Sequence, residues 1–423
     1  MFKKLNFIFI LVSAAFLFTS CSGNEKGTEL KFWAMGTEGE ILKQLVPEFE
    51  RRNPGIKVDV QMIPWTAAQE KLITAYASNN TPDACQLGNT WIPQFAALDA
   101  IENLNTSIKN SRVVKKEDYF EGIWETNVID ESVYGIPWYI DTRVLYYRTD
   151  ILAEAGYNEP PRNWDELYDA CKKIKQLHPG NYPIYIPVNE WANFIIFGLQ
   201  ANASILKNNN SYGNFSSPEF KKAFHYLIKY HKEKLSPAGI TEVTNIYQAM
   251  AEGYINMYIS GPWNLTEFKK WMTGSLKDKW STAALPGLAD SVPGVSLAGG
   301  ASLVIFKNSE KKGQAWKFIE YLSEPSTQVE FYKIVNNLPA VKKAWENPLL
   351  SEDKYMKAFY KQFHYVMPTP KIPEWEQIVF AKLQQYMELA ARGSMPEGQA
   401  LKLLDKDVND ILEKRRWLLS KEN

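Results

Sequence analysis

The stretch Tyr134–Asp150, Tyr-Gly-Ile-Pro-Trp-Tyr-Ile-Asp-Thr-Arg-Val-Leu-Tyr-Tyr-Arg-Thr-Asp, constrains the fold more than any other part of the chain. It reads as a short strand, a proline break, an exposed polar and aromatic passage, and a second strand over Arg143–Arg148 rich in β-branched and aromatic residues. Pro137 lacks a ladder donor and drives Ile136 extended, so one strand is expected to stop there and the next to begin in a different sheet or register. The chain therefore crosses from one unit to another at this point. The crossing carries Trp138, Tyr139, Asp141 and Arg143, a set suited to a ligand. An ordinary strand-loop-strand connection with a Trp packed beneath it accounts for the same residues equally well.

Upstream, Leu30–Ala34 is a strand, Met35–Gly39 a glycine-bearing turn, and Glu40–Arg52 a helix with Leu42, Leu45, Val46 and Phe49 on one face. Ile56–Met62 alternates as a second strand, a helix follows from about Ala67 to Ala77, and Asp83–Leu87 is a third strand. This β-α-β-α-β order predicts an α/β unit with a largely parallel sheet. Ligands sit beyond the carboxyl ends of such strands, which brings Gly36-Thr37-Glu38 and Gly88-Asn89-Thr90-Trp91 to one mouth.

Beyond the crossing, Asn163 caps a helix whose Leu167, Cys171, Ile174 and Leu177 face a second core, and Trp164 in its first turn reads as packing. The strand Pro183–Asn189 ends at Glu190-Trp191, and Tyr254–Ile259 ends in Gly261-Pro262-Trp263. Gly299-Gly300 precede the apolar strand Ser302–Phe306, where a backbone can approach a ligand closely. The helices Lys311–Leu322 and Pro325–Val335 lead to Leu338-Pro339-Ala340, read as another crossing, and helices over Glu374–Arg392 and Glu397–Trp417 close the chain. A chain of 423 residues is too long for one core. Two interleaved lobes are expected: 30–139 with about 295–340, and about 140–294 with 341–423.

The amino terminus is a leader. Met1–Ser20 has Lys3 and Lys4, an apolar run from Leu5 to Phe18, and small residues before Cys21. Phe18-Thr19-Ser20-Cys21 resembles a lipobox, which makes Cys21 a lipidated first residue and 21–29 a polar tether; a plain secretory signal with Cys21 incidental is the other reading. The protein is thus expected outside the cytoplasm, anchored to a bacterial membrane. Lys and Arg number 48 against 48 Asp and Glu, so loss of Lys3 and Lys4 leaves a slightly acidic chain with nothing to attract nucleic acid. Cys85 and Cys171 read as buried thiols without metal spacing.

His178, His225, His231 and His364 lie on or beside helices without metal spacing or a nucleophile motif, and no phosphate-binding glycine loop is present, so no cofactor is expected. Glu38, Asp141 and Glu190 are the candidates for a hydrolase's carboxylate pair, which requires a separation of about 5–9 Å. A sugar, with apolar C–H faces and a rim of hydroxyls, needs aromatic platforms and planar polar groups. Trp91, Trp191, Trp263 and Trp375 stand at strand ends or on proline-bounded loops and are the platform candidates, each as readily a core or rim residue.

Tyr-Gly-Ile-Pro followed by Leu-Tyr-Tyr-x-x-Asp, Pro161–Leu167, Gly253–Trp263, Gly299-Gly300, Ala315-Trp316-x-Phe318 and Leu338-Pro339-Ala340 occur in the order seen in family 1 of the bacterial extracellular solute-binding proteins. The chain resembles that family, of maltose and maltodextrin type, over nearly its whole mature length. The resemblance implies a two-lobed α/β periplasmic-binding-protein fold of type II, with hinge crossings and a ligand cleft between interleaved lobes. It implies a monomeric, non-enzymatic binder that takes a carbohydrate, an oligosaccharide by its aromatic content, and delivers it to the permease subunits of an ABC importer. By resemblance Trp263 and Trp375 stack on sugar, Asp141 accepts hydroxyls, and Glu38, Asn89 and Thr90 are polar contacts. Arg143, a clamp on Asp141, a contact to a hydroxyl or a hinge ion pair, and Gly300 complete the candidate site. A polyamine, a glycerol phosphodiester, or hydrolysis of a surface glycan are the competing readings.

Overall fold

The computed structural model describes residues 27–239 and 242–422. The leader, Cys21 and most of the tether lie outside the described residues. In chain order the strands are β1 (Thr28–Met35), β2 (Ile56–Ile63), β3 (Ala84–Gly88), β4 (Ile136–Asp141), β5 (Val144–Arg148), β6 (Tyr182–Tyr185), β7 (Ile255–Ser260) and β8 (Trp280–Ala283). They are followed by β9 (Ser296–Leu297), β10 (Gly299–Ile305), β11 (Leu338–Pro339) and β12 (Val366–Met367). Two short hairpins, Val128–Val133 and Leu206–Gly213, stand outside the main sheets.

The first sheet has the order β11-β4-β10-β3-β1-β2. Leu30, Phe32 and Ala34 alternate inward along β1 and are fully buried, as the period of a strand requires. Helix α1 (Gly36–Arg52) covers them with Leu42, Val46 and Phe49, whose ring meets Phe318 edge-on at 4.8 Å. Gly36 to Glu38, expected in a turn, form the first turn of α1. The expectation of a largely parallel sheet holds for one half only: β1 runs parallel to β2 and β3, but β10 enters antiparallel between β3 and β4. The chain returns from the second lobe at β10 and inserts beside β3, so its direction is set by that return.

The second sheet, β8-β5-β7-β6, is packed by helices over Trp164–Leu177, Ala192–Gln200 and Pro218–Lys232. Asn163 caps the first of these by accepting from Glu166 N at 2.8 Å. Trp164 is core, stacked on Tyr226 at 4.5 Å with its indole N–H donating to Gln200. Cys85 and Cys171 are buried free thiols. The carboxyl-terminal helices return to this lobe, burying Leu401, Leu404 and Val408, and the expected continuous helix to Trp417 breaks at Leu412. No helix among the described residues is long and apolar enough to cross a membrane.

The crossing does not fall at Pro137. That residue lies inside β4, opposite Ser302, where the register of β10 slips between Ala301 and Ser302. The irregularity accommodates a residue that cannot donate to the ladder. Trp138, also expected in an exposed passage, is a strand residue stacked on Phe331 at 4.5 Å. The chain leaves the first sheet at Thr142-Arg143 and re-enters it through Ser296–Ala298, and these segments lie side by side. Thr142 Oγ1 donates to Leu297 O, Arg143 N donates to Ser296 Oγ, and Ser296 Oγ donates back to Arg143 O. Leu338-Pro339 is likewise no crossing but the edge strand of the first sheet, paired with Ile140 and Tyr139. The last passage comes later, where β12 lies parallel to β9 and Lys371 Nζ donates to the carbonyls of Val128 and Glu125.

Candidate ligand-binding site

Loops from both sheets and the crossing segments surround a cavity of about 270 Å³. Asn89, Thr90, Trp91, Asp141, Arg143, Trp191 and Gly300 of the sequence candidates line it. Asn89 comes off β3, and its Nδ2 donates to Ala298 O at 2.9 Å, tying that loop to the returning crossing. Trp91 folds back over Gly88, where a Cβ would lie 3.3 Å from the indole, and meets Trp65 edge-on at 5.5 Å. Gly300 has φ +126 and lies so near Tyr139 that a Cβ would stand 2.3 Å from its carbonyl oxygen. Only glycine fits that backbone without strain.

Asp141 ends β4. Its Oδ1 accepts from Arg143 Nη1 at 2.9 Å, and Arg143 Nη2 is 3.9 Å from Glu190 Oε1. Burial raises the Asp141 pKa, the Arg143 guanidinium draws it partly back, and the Glu190 carboxylate pushes it up again. Glu376, on the carboxyl-terminal helical segment, is likewise raised by burial and partly relieved by a hydrogen bond with Thr90, which reaches it from the other lobe.

Three candidates stand off the cavity. Glu38 accepts from Tyr139 Oη and from Asn337 Nδ2, both at 3.0 Å, while Gln86 Nε2 donates to Tyr139 Oη at 2.9 Å. Burial and the Glu38 and Asp141 carboxylates hold the Tyr139 phenol well above its usual range, so it stays a donor, and Glu38 fixes a ring that lines the cavity. Trp375 is 1% exposed and stands behind Trp191, edge-on at 5.9 Å. Trp263 is half exposed, pressed against Gly261, with the Arg143 guanidinium carbon 4.8 Å from its ring centroid. Tyr139, carried by the crossing read as suited to a ligand, lines the cavity too, and Trp65, Thr369, Glu376 and Phe380 join it although no sequence motif marked them as ligand contacts. Trp65 follows Pro64 at the end of β2 and obeys the same strand-end rule that found Trp91. Nothing local marks Glu376 or Phe380. A larger cavity, about 640 Å³, lies between Lys342–Glu346 and Met356–Tyr360 and contains none of the strand-end loops.

The sequence model described as bacterial extracellular solute-binding protein matches residues 34–329. The diacetylchitobiose binding protein DasA of Streptomyces coelicolor is 25% identical over 401 residues, spanning 92% of this chain and 91% of its own. The galactooligosaccharide-binding protein of Bacillus subtilis is 24% identical, spanning 90% and 89%. Among solved structures, the sugar-binding protein MalE of Xanthomonas citri is 43% identical and superposes with a TM-score of 0.90 over 94% of this chain and all of that one. The cyclic alpha-maltosyl-1,6-maltose binding protein of Arthrobacter globiformis shares the fold, with a TM-score of 0.78 at 21% identity over 92% of this chain and 99% of its own. These neighbours are two-lobed binding proteins, not enzymes. With the family match covering well over half its length, the chain belongs to the bacterial extracellular solute-binding protein family.

Proposed function

We propose that this protein captures a short oligosaccharide between its lobes and delivers it to the membrane subunits of an ABC importer, held at the membrane through Cys21 and acting as a monomer without turnover. The observation that carries this reading is the convergence, in one cavity, of Trp65, Trp91, Trp191 and Phe380 with Asn89, Asp141, Arg143 and Glu376. Indole faces accept the C–H faces of a pyranose, and carboxylates, an amide and a guanidinium match its hydroxyl rim. A cavity of about 270 Å³ lies just below the usual range for ligand pockets, about 300–1,000 Å³, which suits a short saccharide rather than a long one. The names of the relatives, binders of diacetylchitobiose and galactooligosaccharide, favour the same class. Trp263 at the rim is the proposed outer platform, and Glu38 and Trp375 act from behind by fixing Tyr139 and Trp191.

The competing readings fit less well. A polyamine would need several carboxylates free of cations, yet Asp141 is bound by Arg143 and Glu190 lies near the same guanidinium, which leaves Glu376 as the one cavity-lining carboxyl without a cationic partner among the described residues. That engagement also leaves Arg143 poorly placed to clamp a phosphodiester. A hydrolase needs two carboxyl groups free to face a scissile bond, whereas Asp141 and Glu190 both turn toward the one Arg143 guanidinium.

A thermal-shift screen of the mature protein against mono- and oligosaccharides, polyamines and phosphodiesters, with product analysis of each hit, tests this reading. One sugar class is expected to raise the melting temperature saturably, by the equivalent of about 2.7 kcal/mol at a hundredfold excess over Kd. The shift should be lost in Asp141→Asn and reduced in Trp263→Ala, with the sugar recovered intact. Turnover, or a shift with cations or phosphodiesters only, would overturn it.

A further inference from the structure

We propose that Arg143 decides which saccharides the cleft accepts by competing for their seat: its guanidinium occupies the Trp263 face and the Asp141 and Glu190 carboxylates, and an incoming sugar must displace it. The inference rests on the saccharide reading above and goes beyond it in assigning a resident occupant to the subsite. The guanidinium carbon lies 4.8 Å from the Trp263 centroid, Nη1 donates to Asp141 Oδ1 at 2.9 Å, and Nη2 stands 3.9 Å from Glu190 Oε1. A planar cation over the ring with donors turned to carboxylates reproduces what a pyranose offers, an apolar face on indole and hydroxyl hydrogens on acids. The two cannot share one aromatic face.

The surroundings show which parts can move. The Arg143 backbone is pinned by Ser296 through both its N–H and its carbonyl, so displacement falls to the side chain. Trp263 cannot retreat, because its ring already fills the space of a Gly261 Cβ, 2.1 Å from that position. Arg143 Nε is buried and has no hydrogen-bond partner among the described residues, although the side chain is 15% exposed. An unpaired buried N–H is unfavourable, and a hydroxyl oxygen arriving beside it would satisfy it as the guanidinium swings off the ring. The seat therefore favours ligands that supply an apolar face, donors for the two acids and an acceptor for the displaced arginine.

The test is isothermal titration of the mature wild type, Arg143→Met and Arg143→Lys with maltotriose, a galactobiose, N,N′-diacetylchitobiose and the glucosamine disaccharide. In parallel, ¹⁹F NMR of 5-fluorotryptophan-labelled wild type follows Trp263, whose resonance is identified by its loss in Trp263→Phe. Arg143→Met, with the ring uncovered, is expected to bind the neutral sugar that wild type binds about 2- to 5-fold more tightly, the range of an exposed cation–π contact. It should also gain affinity for the cationic glucosamine disaccharide, since Asp141 and Glu190 lose their counter-ion; a merely structural arginine would give neither change. The wild-type Trp263 resonance should shift on saturation with sugar. Equal or weaker neutral binding by Arg143→Met would overturn the inference. If that variant does not fold, a Trp263 resonance unmoved at saturation, or Arg143→Lys binding no tighter than wild type, does the same. Wild type binding none of the four sugars overturns the saccharide reading and this inference together, whereas wild-type binding with the contrary variant result overturns the inference alone.

Discussion

His231 lies on the helix Pro218–Lys232, 5% exposed, with Nδ1 3.1 Å from Pro237 O and Nε2 without a partner among the described residues. Burial lowers its pKa to about 4, against the pull of its backbone hydrogen bonds and of Glu242. The unfolded chain protonates near the ordinary value of 6.5 and the folded chain only near 4, so between those values the unfolded state holds the extra proton. The stabilisation is fully present above 6.5 and is lost as pH falls toward 4, by up to about 3 kcal/mol. Urea unfolding at pH 7.5 and pH 5 should therefore show a steep acid-side loss in wild type and a flatter one in His231→Asn, even if that variant starts lower. Equal slopes would mean that His231 is solvated enough to titrate normally. The same logic of burial separates the tryptophans: strand ends and proline-bounded loops nominated Trp91, Trp191, Trp263 and Trp375, and family resemblance singled out Trp263 and Trp375, yet only the packed chain distinguishes the 1% exposed Trp375 from the half-exposed Trp263.

At the scale of elements, β4 and β10 carry the site between them. Gly299 and Gly300 lie opposite Asp141 and Ile140, and each excludes a side chain for a different reason. At Gly300 an added Cβ meets the Tyr139 carbonyl at 2.3 Å and the φ of +126 is unfavourable for any L side chain. At Gly299 it meets the Asp141 carboxylate at 2.2 Å, the far end of a side chain that can turn away. Gly300→Ala is accordingly expected to lower unfolding stability by about 2–4 kcal/mol, whereas Gly299→Ala should leave the urea midpoint closer to wild type and weaken sugar binding by displacing Asp141. Chemical denaturation and calorimetry on the two variants would distinguish these effects, and equal losses of stability would refute the assignment. The glycine pair is legible in the sequence as a close approach of backbone. Its antiparallel setting between β3 and β4 is not, because the pairing is made with strands more than a hundred residues away.

At the scale of the whole molecule, the two sheets are joined at Thr142-Arg143, at Ser296–Ala298 and after the first lobe's last strand, and the cavity lies where these passages run together. Contacts from both lobes, such as Thr90 with Glu376, already span the cleft. A ligand that touches both sides favours a more closed arrangement only by its differential affinity for it. Small-angle scattering should show the radius of gyration falling on saturation with the sugar found by thermal shift, and not at the same concentration with Asp141→Asn; an unchanged radius alongside calorimetric saturation would exclude hinge closure. The sequence by itself determined most of the first lobe's strands and helices to within a few residues, the two-lobed α/β class and most of the strand-end candidates, since hydrophobic period, caps and prolines act over a few residues, but it left the helix Ala192–Gln200 and the strand β8 unread. The tertiary structure alone decided that Pro137 sits within a strand, that β10 runs against β3, that Trp375 retreats behind Trp191, and that Glu376 and Phe380 reach the cavity. Those outcomes depend on how a carboxyl-terminal segment folds back across both lobes, and long-range packing of that kind leaves no local pattern to read.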